Sequence, residues 1–354
     1  MTSRISKRVL AMHGYVPGEQ PVGDGVIKLN TNENPYPCSP KVKAAIGHAC
    51  QQGLHKYPDP GATAFRIRVA ELLSGDVPGI GPDWILCGNG SDDILTIVTR
   101  ALVESGDLVR FPNPSYLLYN TLGAIQGAQC DPVDFRDDWS LGEDFTAATK
   151  RLSLAFLANP NSPSGTIVLP ERIAEIAATL PCPLLVDEAY ADFADTNCLA
   201  LVAENEDVMV SRTLSKSYAL AGLRFGFLVA QPHMIRELAK VKDSYNCDAL
   251  SIAGATAAVD DRQWFEDTRS AILASRTRLT AELLNRGFEC APTQANFVWC
   301  QHPKHVAEQL YLNLKSQGVL VRYMTYPNWT DGLRITVGTD AQIDAFLTLL
   351  DGLL

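Results

Sequence analysis

At 354 residues, with a formal net charge of -10 and a pI near 5.1, the chain is long enough to bury a large core, and it lacks the clustered Lys and Arg that bind nucleic-acid phosphates. No stretch is long and apolar enough to span a membrane, and the apolar run after Arg4, Lys7 and Arg8 breaks at His13-Gly14, too early for a secretory signal. The 9 cysteines show no paired metal-type spacing and read as reduced thiols of a cytoplasmic protein.

Residues 1–40 are rich in Gly, Pro, Asn and Tyr, keep no sustained period, and read as an arm laid over the rest. Helical patterning covers 40–52 and 62–73, and the turn at 57–61 between them presents Tyr57. From Trp84 the pattern alternates, with strands at 84–87, 108–111, 129–135, 152–158, 184–186, 208–210 and 225–229. Helices lie between them at 93–103 and 171–180, and another opens near Pro112 and contains Tyr116 and Tyr119. This grammar predicts an α/β fold, a mostly parallel seven-stranded sheet sandwiched by helices. Helices follow at 233–242, 250–259 and 264–286, the last closed by Gly287 as a C-terminal cap. Strands at 296–300, 319–323 and 333–337, with helices at 305–317 and 341–353, form a smaller α+β unit. The expected division is an arm over 1–40, a large domain over 41–260 and a small domain over 261–354.

Ligands of open parallel sheets bind past the carboxyl ends of the strands, and several such loops carry suitable chemistry. Lys216 lies among the hydroxyls of Thr213, Ser215 and Ser217, with Arg224 beyond, on a loop between two apolar strands. An amine to form an imine beside donors for a phosphate suits a small anionic cofactor with an aldehyde, although a lysine is more commonly a solvated surface charge. The segment Gly88-Asn89-Gly90-Ser91-Asp92 would present a helix N-terminus to a phosphate, or serve only as a strand-to-helix turn capped by Ser91 or Asp92. Asp187 at a strand end would face a pyridine nitrogen and keep it protonated, or act as a structural carboxylate. Tyr190, three positions on, would reach a ring oxygen or merely pack.

Taken together, Asp187-Glu188-Ala189-Tyr190 and the run from Ser215 to Arg224 resemble the pyridoxal-phosphate-dependent aminotransferases of fold type I, and within them the histidinol-phosphate aminotransferases. The likeness extends from Tyr15 and residues 30–33 to residues 333–339. It implies Lys216 as the Schiff-base lysine, Asp187 on the pyridinium nitrogen and Tyr190 on the 3′ oxygen. It also implies Gly90, Ser91, Asp92, Thr213, Ser215 and Arg224 around the phosphate of pyridoxal 5′-phosphate, with Tyr116 stacked on its ring. Arg334 would take the substrate's carboxylate or phosphate, with Arg322, Asn32 and Tyr15 lining the same pocket. Tyr57 would enter the neighbouring subunit's site, which implies a homodimer with shared sites and an arm contributing to the small domain and the dimer contact.

One position departs from the family. The asparagine that precedes its Pro-Thr-Gly is here Ser162, with Ser164 for the threonine, so Asn161, a water or Tyr190 alone would make the contact to the 3′ oxygen. The implied reaction is a ping-pong transamination between an amino donor, histidinol phosphate, and 2-oxoglutarate, with Lys216 as anchor and as general acid and base. An aromatic amino-acid aminotransferase and a threonine-phosphate decarboxylase are the alternatives. A non-catalytic regulator would need a DNA-binding domain, for which the chain has neither extra length nor a basic patch.

Overall fold

The computed structural model describes residues 4–12, 14, 18–20 and 25–354. A short strand of the arm, β1 (Ile27–Lys28), precedes the seven strands β2 (Ile85–Gly88), β3 (Leu108–Asn113), β4 (Gln129–Asp134), β5 (Leu152–Ala158), β6 (Leu184–Asp187), β7 (Val208–Thr213) and β8 (Gly226–Val229). These seven form one sheet in the order β2-β8-β7-β6-β5-β3-β4. All pairs are parallel except those of β8, which runs antiparallel to both β2 and β7. The centre is buried on both faces, which is why β5 and β6 read as unbroken apolar runs. Alternation splits them: Ala155, Leu157, Leu184 and Val186 pack on one side with Phe65, Ile173 and Ile176, while Leu154, Phe156 and Leu185 pack on the other with Ile94, Leu95 and Leu122.

A second, antiparallel sheet is built from β9 (Glu289–Cys290), β10 (Phe297–Gln301), β12 (Arg322–Tyr326) and β13 (Trp329–Thr336) in the order β12-β13-β10-β9. The remaining strand, β11 (Val319–Leu320), pairs in parallel with β1. The run 319–323, expected as one strand, is therefore two strands in two sheets. Its first two residues tie down the arm, whose Leu29 enters the apolar core of the small unit with Ile272, Leu279 and Ile335. The long helix Arg262–Asn285 supplies that core from its later turns. The tip between β12 and β13 clasps the large sheet. Asn113 Nδ2 donates to the Pro327 carbonyl at 3.1 Å, Asn328 Nδ2 reaches Asp134 at 3.3 Å, and Trp329 stacks on Trp139 with ring centres 4.6 Å apart.

Other boundaries shift for local reasons. The helix expected at 93–103 spans Ser91–Leu102, because Gly90 at φ 84° turns the chain sharply out of β2. The helix containing Tyr119 runs Leu118–Gln126, leaving Tyr116 on the preceding loop where it can face a ligand.

Candidate active site

The carboxyl ends of β5, β6 and β7 open into a cavity of about 500 Å³ between the two sheets. Lys216, on the loop after β7, lines it and donates from Nζ to the Thr31 carbonyl at 3.2 Å. Its backbone is fixed from the arm, since Asn34 Nδ2 donates to the carbonyls of Lys216 and Ser217 at 3.1 and 3.0 Å. Burial, followed by the nearby Arg334 guanidinium, pulls the Lys216 ammonium down from 10.5 to about 8. Roughly a tenth of the amine is then neutral at pH 7, against well under a thousandth for an ordinary lysine.

Asp187 ends β6, and burial pushes its carboxyl up to about 6 despite two hydroxyl donors. Tyr119 Oη donates to Oδ2 at 2.8 Å and Ser211 Oγ to Oδ1 at 3.1 Å. Neither donor was singled out from sequence. Ser211 is placed by the parallel pairing that sets it opposite Asp187, and Tyr119 by stacking on Phe156 at 4.6 Å. A buried carboxylate with its outer lone pairs occupied and its remaining face on the cavity calls for a cationic partner there.

At one end of the cavity lies an anion cradle. The helix Ser91–Leu102 has no side-chain cap, so the backbone N–H groups of its first turn point toward the cavity. Thr213 Oγ1 donates to Ser215 Oγ at 3.0 Å, and Arg224 Nη1 donates to Ser215 Oγ at 3.3 Å. Arg224 holds φ 52°, a left-handed conformation unfavourable for a side-chain-bearing residue and typical of functional loops. A Cβ at Gly90 would run into its guanidinium, and one at Gly226 would come within 2.7 Å of the Ser91 nitrogen. The Asp92 carboxylate accepts from Tyr116 Oη at 3.1 Å and pairs with Arg224 at 3.4 Å. As an acceptor it cannot itself bind a phosphate, so only its backbone N–H faces that way.

The opposite wall carries two arginines. Arg322 and Arg334 are direct cross-strand partners on β12 and β13, and both line the cavity. Like charges directly opposite one another are unfavourable unless an anion lies between them. Arg334 Nη1 donates to Ser162 Oγ at 3.0 Å and Nη2 to the Asn30 carbonyl at 3.1 Å, while its buried Nε has no hydrogen-bond partner among the described residues.

An aminotransferase class I and II family model matches residues 24–350. The chain belongs to the class I and II aminotransferase family. It is 54% identical over 340 residues to the histidinol-phosphate aminotransferase of Rhodopirellula baltica, covering 96% of this chain and 93% of that protein. It is 45% identical to histidinol-phosphate aminotransferase 1 of a Nostoc species, covering 100% and 99%. In structure it resembles the histidinol-phosphate aminotransferase of Sinorhizobium meliloti in complex with pyridoxal 5′-phosphate, with TM-score 0.90, 26% identity and coverage of 100% and 99%.

The residues of this aminotransferase fit its cofactor, pyridoxal 5′-phosphate. The uncapped helix and Arg224 match an anion, Asp187 a protonated ring nitrogen, and Lys216 an aldehyde carbon, all around one cavity. Asn161 does not line this cavity, contrary to expectation. Its amide bonds Ser115 at 2.8 Å, the Pro114 carbonyl at 3.1 Å and Ser164 at 3.0 Å, which folds the loop and spends the amide away from the cavity. Ser162 does line it, but engages Arg334. Asn32 reaches the cavity with its amide committed to Tyr190 and Thr336. Tyr57 stays away from its own chain's cavity, 79% exposed and stacked on Tyr245 at 4.3 Å. Tyr15 lies outside the described residues. Ser217, given no role from sequence, bonds Asp192, which with Glu188 clamps Arg212 beneath the site.

Proposed function

We propose that this aminotransferase takes L-histidinol phosphate as amino donor and 2-oxoglutarate as acceptor, releasing imidazole acetol phosphate and L-glutamate in histidine biosynthesis. The observation that carries the substrate class is the opposed Arg322–Arg334 pair, which suits the phosphate of one substrate and the carboxylates of the other. Tyr116 and Tyr326 add aromatic walls for a planar ring. When bound, pyridoxal 5′-phosphate supplies an aldehyde that condenses with amines and a ring that accepts the electron pair released at the substrate's α-carbon. Asp187 would hold the ring nitrogen, Tyr190 the ring oxygen, and Gly90, Ser91, Thr213, Ser215 and Arg224 the phosphate. The neutral Lys216 amine carries the proton to and from the substrate's α-carbon, and its lowered pKa is what suits it as a base. Arg334, oriented by Ser162, sets the anionic end of the substrate.

The working unit is a cytoplasmic homodimer in which Tyr57, exposed on its own chain, enters the partner's site. Comparing kcat/KM for histidinol phosphate and phenylalanine with 2-oxoglutarate tests the substrate. A wide margin for histidinol phosphate is expected, and a margin for phenylalanine would overturn the reading. Carbon dioxide released from threonine phosphate without a keto-acid requirement would overturn transamination itself, and steady-state turnover by Lys216→Ala would overturn its role.

A further inference from the structure

Tyr190 lines the cavity, and its hydroxyl takes a hydrogen bond from a residue of the arm. Asn32 is buried and sits in the left-handed backbone region, at φ 56°. Its main chain is pinned by the small unit: the N–H donates to Thr336 Oγ1 at 2.9 Å, and the carbonyl accepts from Asn296 Nδ2 at 3.0 Å. Because Thr336 Oγ1 accepts from the Asn32 N–H, its own proton is left for Asn32 Oδ1, 3.2 Å away. That contact fixes which end of the carboxamide is oxygen. Nδ2 therefore points at Tyr190 Oη, 2.9 Å distant, as a donor. An amide that can only donate forces the phenol to accept on that side, and turns the phenolic proton into the cavity. The ring is held at the same time by an edge contact with Phe297, 5.0 Å between centres.

We infer that Asn32 is a positioning residue that orients and polarises the Tyr190 hydroxyl toward the cofactor's ring oxygen. Asn32 also couples that hydroxyl to the seating of the arm and small unit, since its own anchors are Thr336 and Asn296. Of the neighbouring side chains at this corner, Ser162 Oγ accepts from Arg334 and the Asn161 amide is spent on its loop. The inference rests on the reading that Tyr190 meets the ring oxygen.

The test uses the purified holoenzyme and its cofactor-free form. Two variants keep the left-handed backbone accessible: Asn32→Gly removes the amide, and Asn32→Asp replaces the donor by an acceptor, to which the phenol must give its own proton. Two quantities are read besides turnover, the dissociation constant for pyridoxal 5′-phosphate from fluorescence titration and the pH midpoint of the bound cofactor's visible absorbance. Loss of one donated hydrogen bond weakens binding roughly threefold to tenfold and raises the midpoint by roughly half a unit or more, with Asn32→Asp the larger effect. In a Tyr190→Phe background both Asn32 effects are expected to vanish, which a merely structural role would not produce. If Tyr190→Phe alone moves neither quantity, the reading of Tyr190 itself fails. If Tyr190→Phe moves them and Asn32→Gly and Asn32→Asp do not, or if the Asn32 effects persist in Tyr190→Phe, the role inferred for Asn32 is overturned.

Discussion

In the cofactor-free protein, the partly buried Lys216 ammonium lies near the Arg334 guanidinium, and replacing it by methionine removes the charge while keeping much of the volume. The fall in its pKa from 10.5 to about 8 makes the charged form ~3 kcal/mol less favourable in the folded protein than in the unfolded chain. The folded pKa is the lower one, so between about 8 and 10.5 the unfolded chain binds more protons and wild-type stability rises with pH. The penalty is full below about 8 and disappears above 10.5. At pH 7, Lys216→Met should be more stable than wild type by ~2 kcal/mol, after allowing ~1 kcal/mol for the lost bond to the Thr31 carbonyl. By pH 9.5 the difference should shrink by ~2 kcal/mol. Urea unfolding of both cofactor-free proteins at one fixed concentration, followed by tryptophan fluorescence, measures this. A difference that stays constant across the two pH values would refute the argument, because other titrating groups cancel between the variants.

Two further substitutions probe the cofactor site. Tyr119→Phe removes a donor from Asp187, whose carboxyl is already up near 6, so the acid limb of pyridoxal 5′-phosphate affinity should move up by roughly half a unit to one unit. An unchanged affinity profile between pH 5.5 and 8 would show that the Tyr119 bond is immaterial. Gly90→Ala places a methyl group against Arg224 at a left-handed position, and should weaken cofactor affinity at least about tenfold by fluorescence titration while the far-ultraviolet spectrum is retained.

Much of this site could be read from the chain because each main group lies on a short local motif with its own chemistry. Lys216 and Arg224 share one loop, Asp187 and Tyr190 another, and Gly90-Ser91 a third, each at the end of a strand marked by an apolar run. Strand periodicity also marked the seven strands of the large sheet, since burial on both faces leaves a compositional trace. Pairing leaves no such trace. The bonds from Tyr119 and Ser211 to Asp187, from Asn34 to the Lys216 carbonyl and from Asn32 to Tyr190 join residues between 24 and 182 positions apart. The sheet order and the seating of the arm create them. The same holds for Asn161 and Ser162, adjacent in sequence: the loop after β5 turns one side chain inward to fold itself and the other into the cavity toward Arg334. Sequence by itself determined which chemical groups are available and that a parallel sheet would gather them. Only the tertiary structure decided which hydrogen bonds they have left to offer, because a polar group's remaining valence depends on partners brought from distant segments.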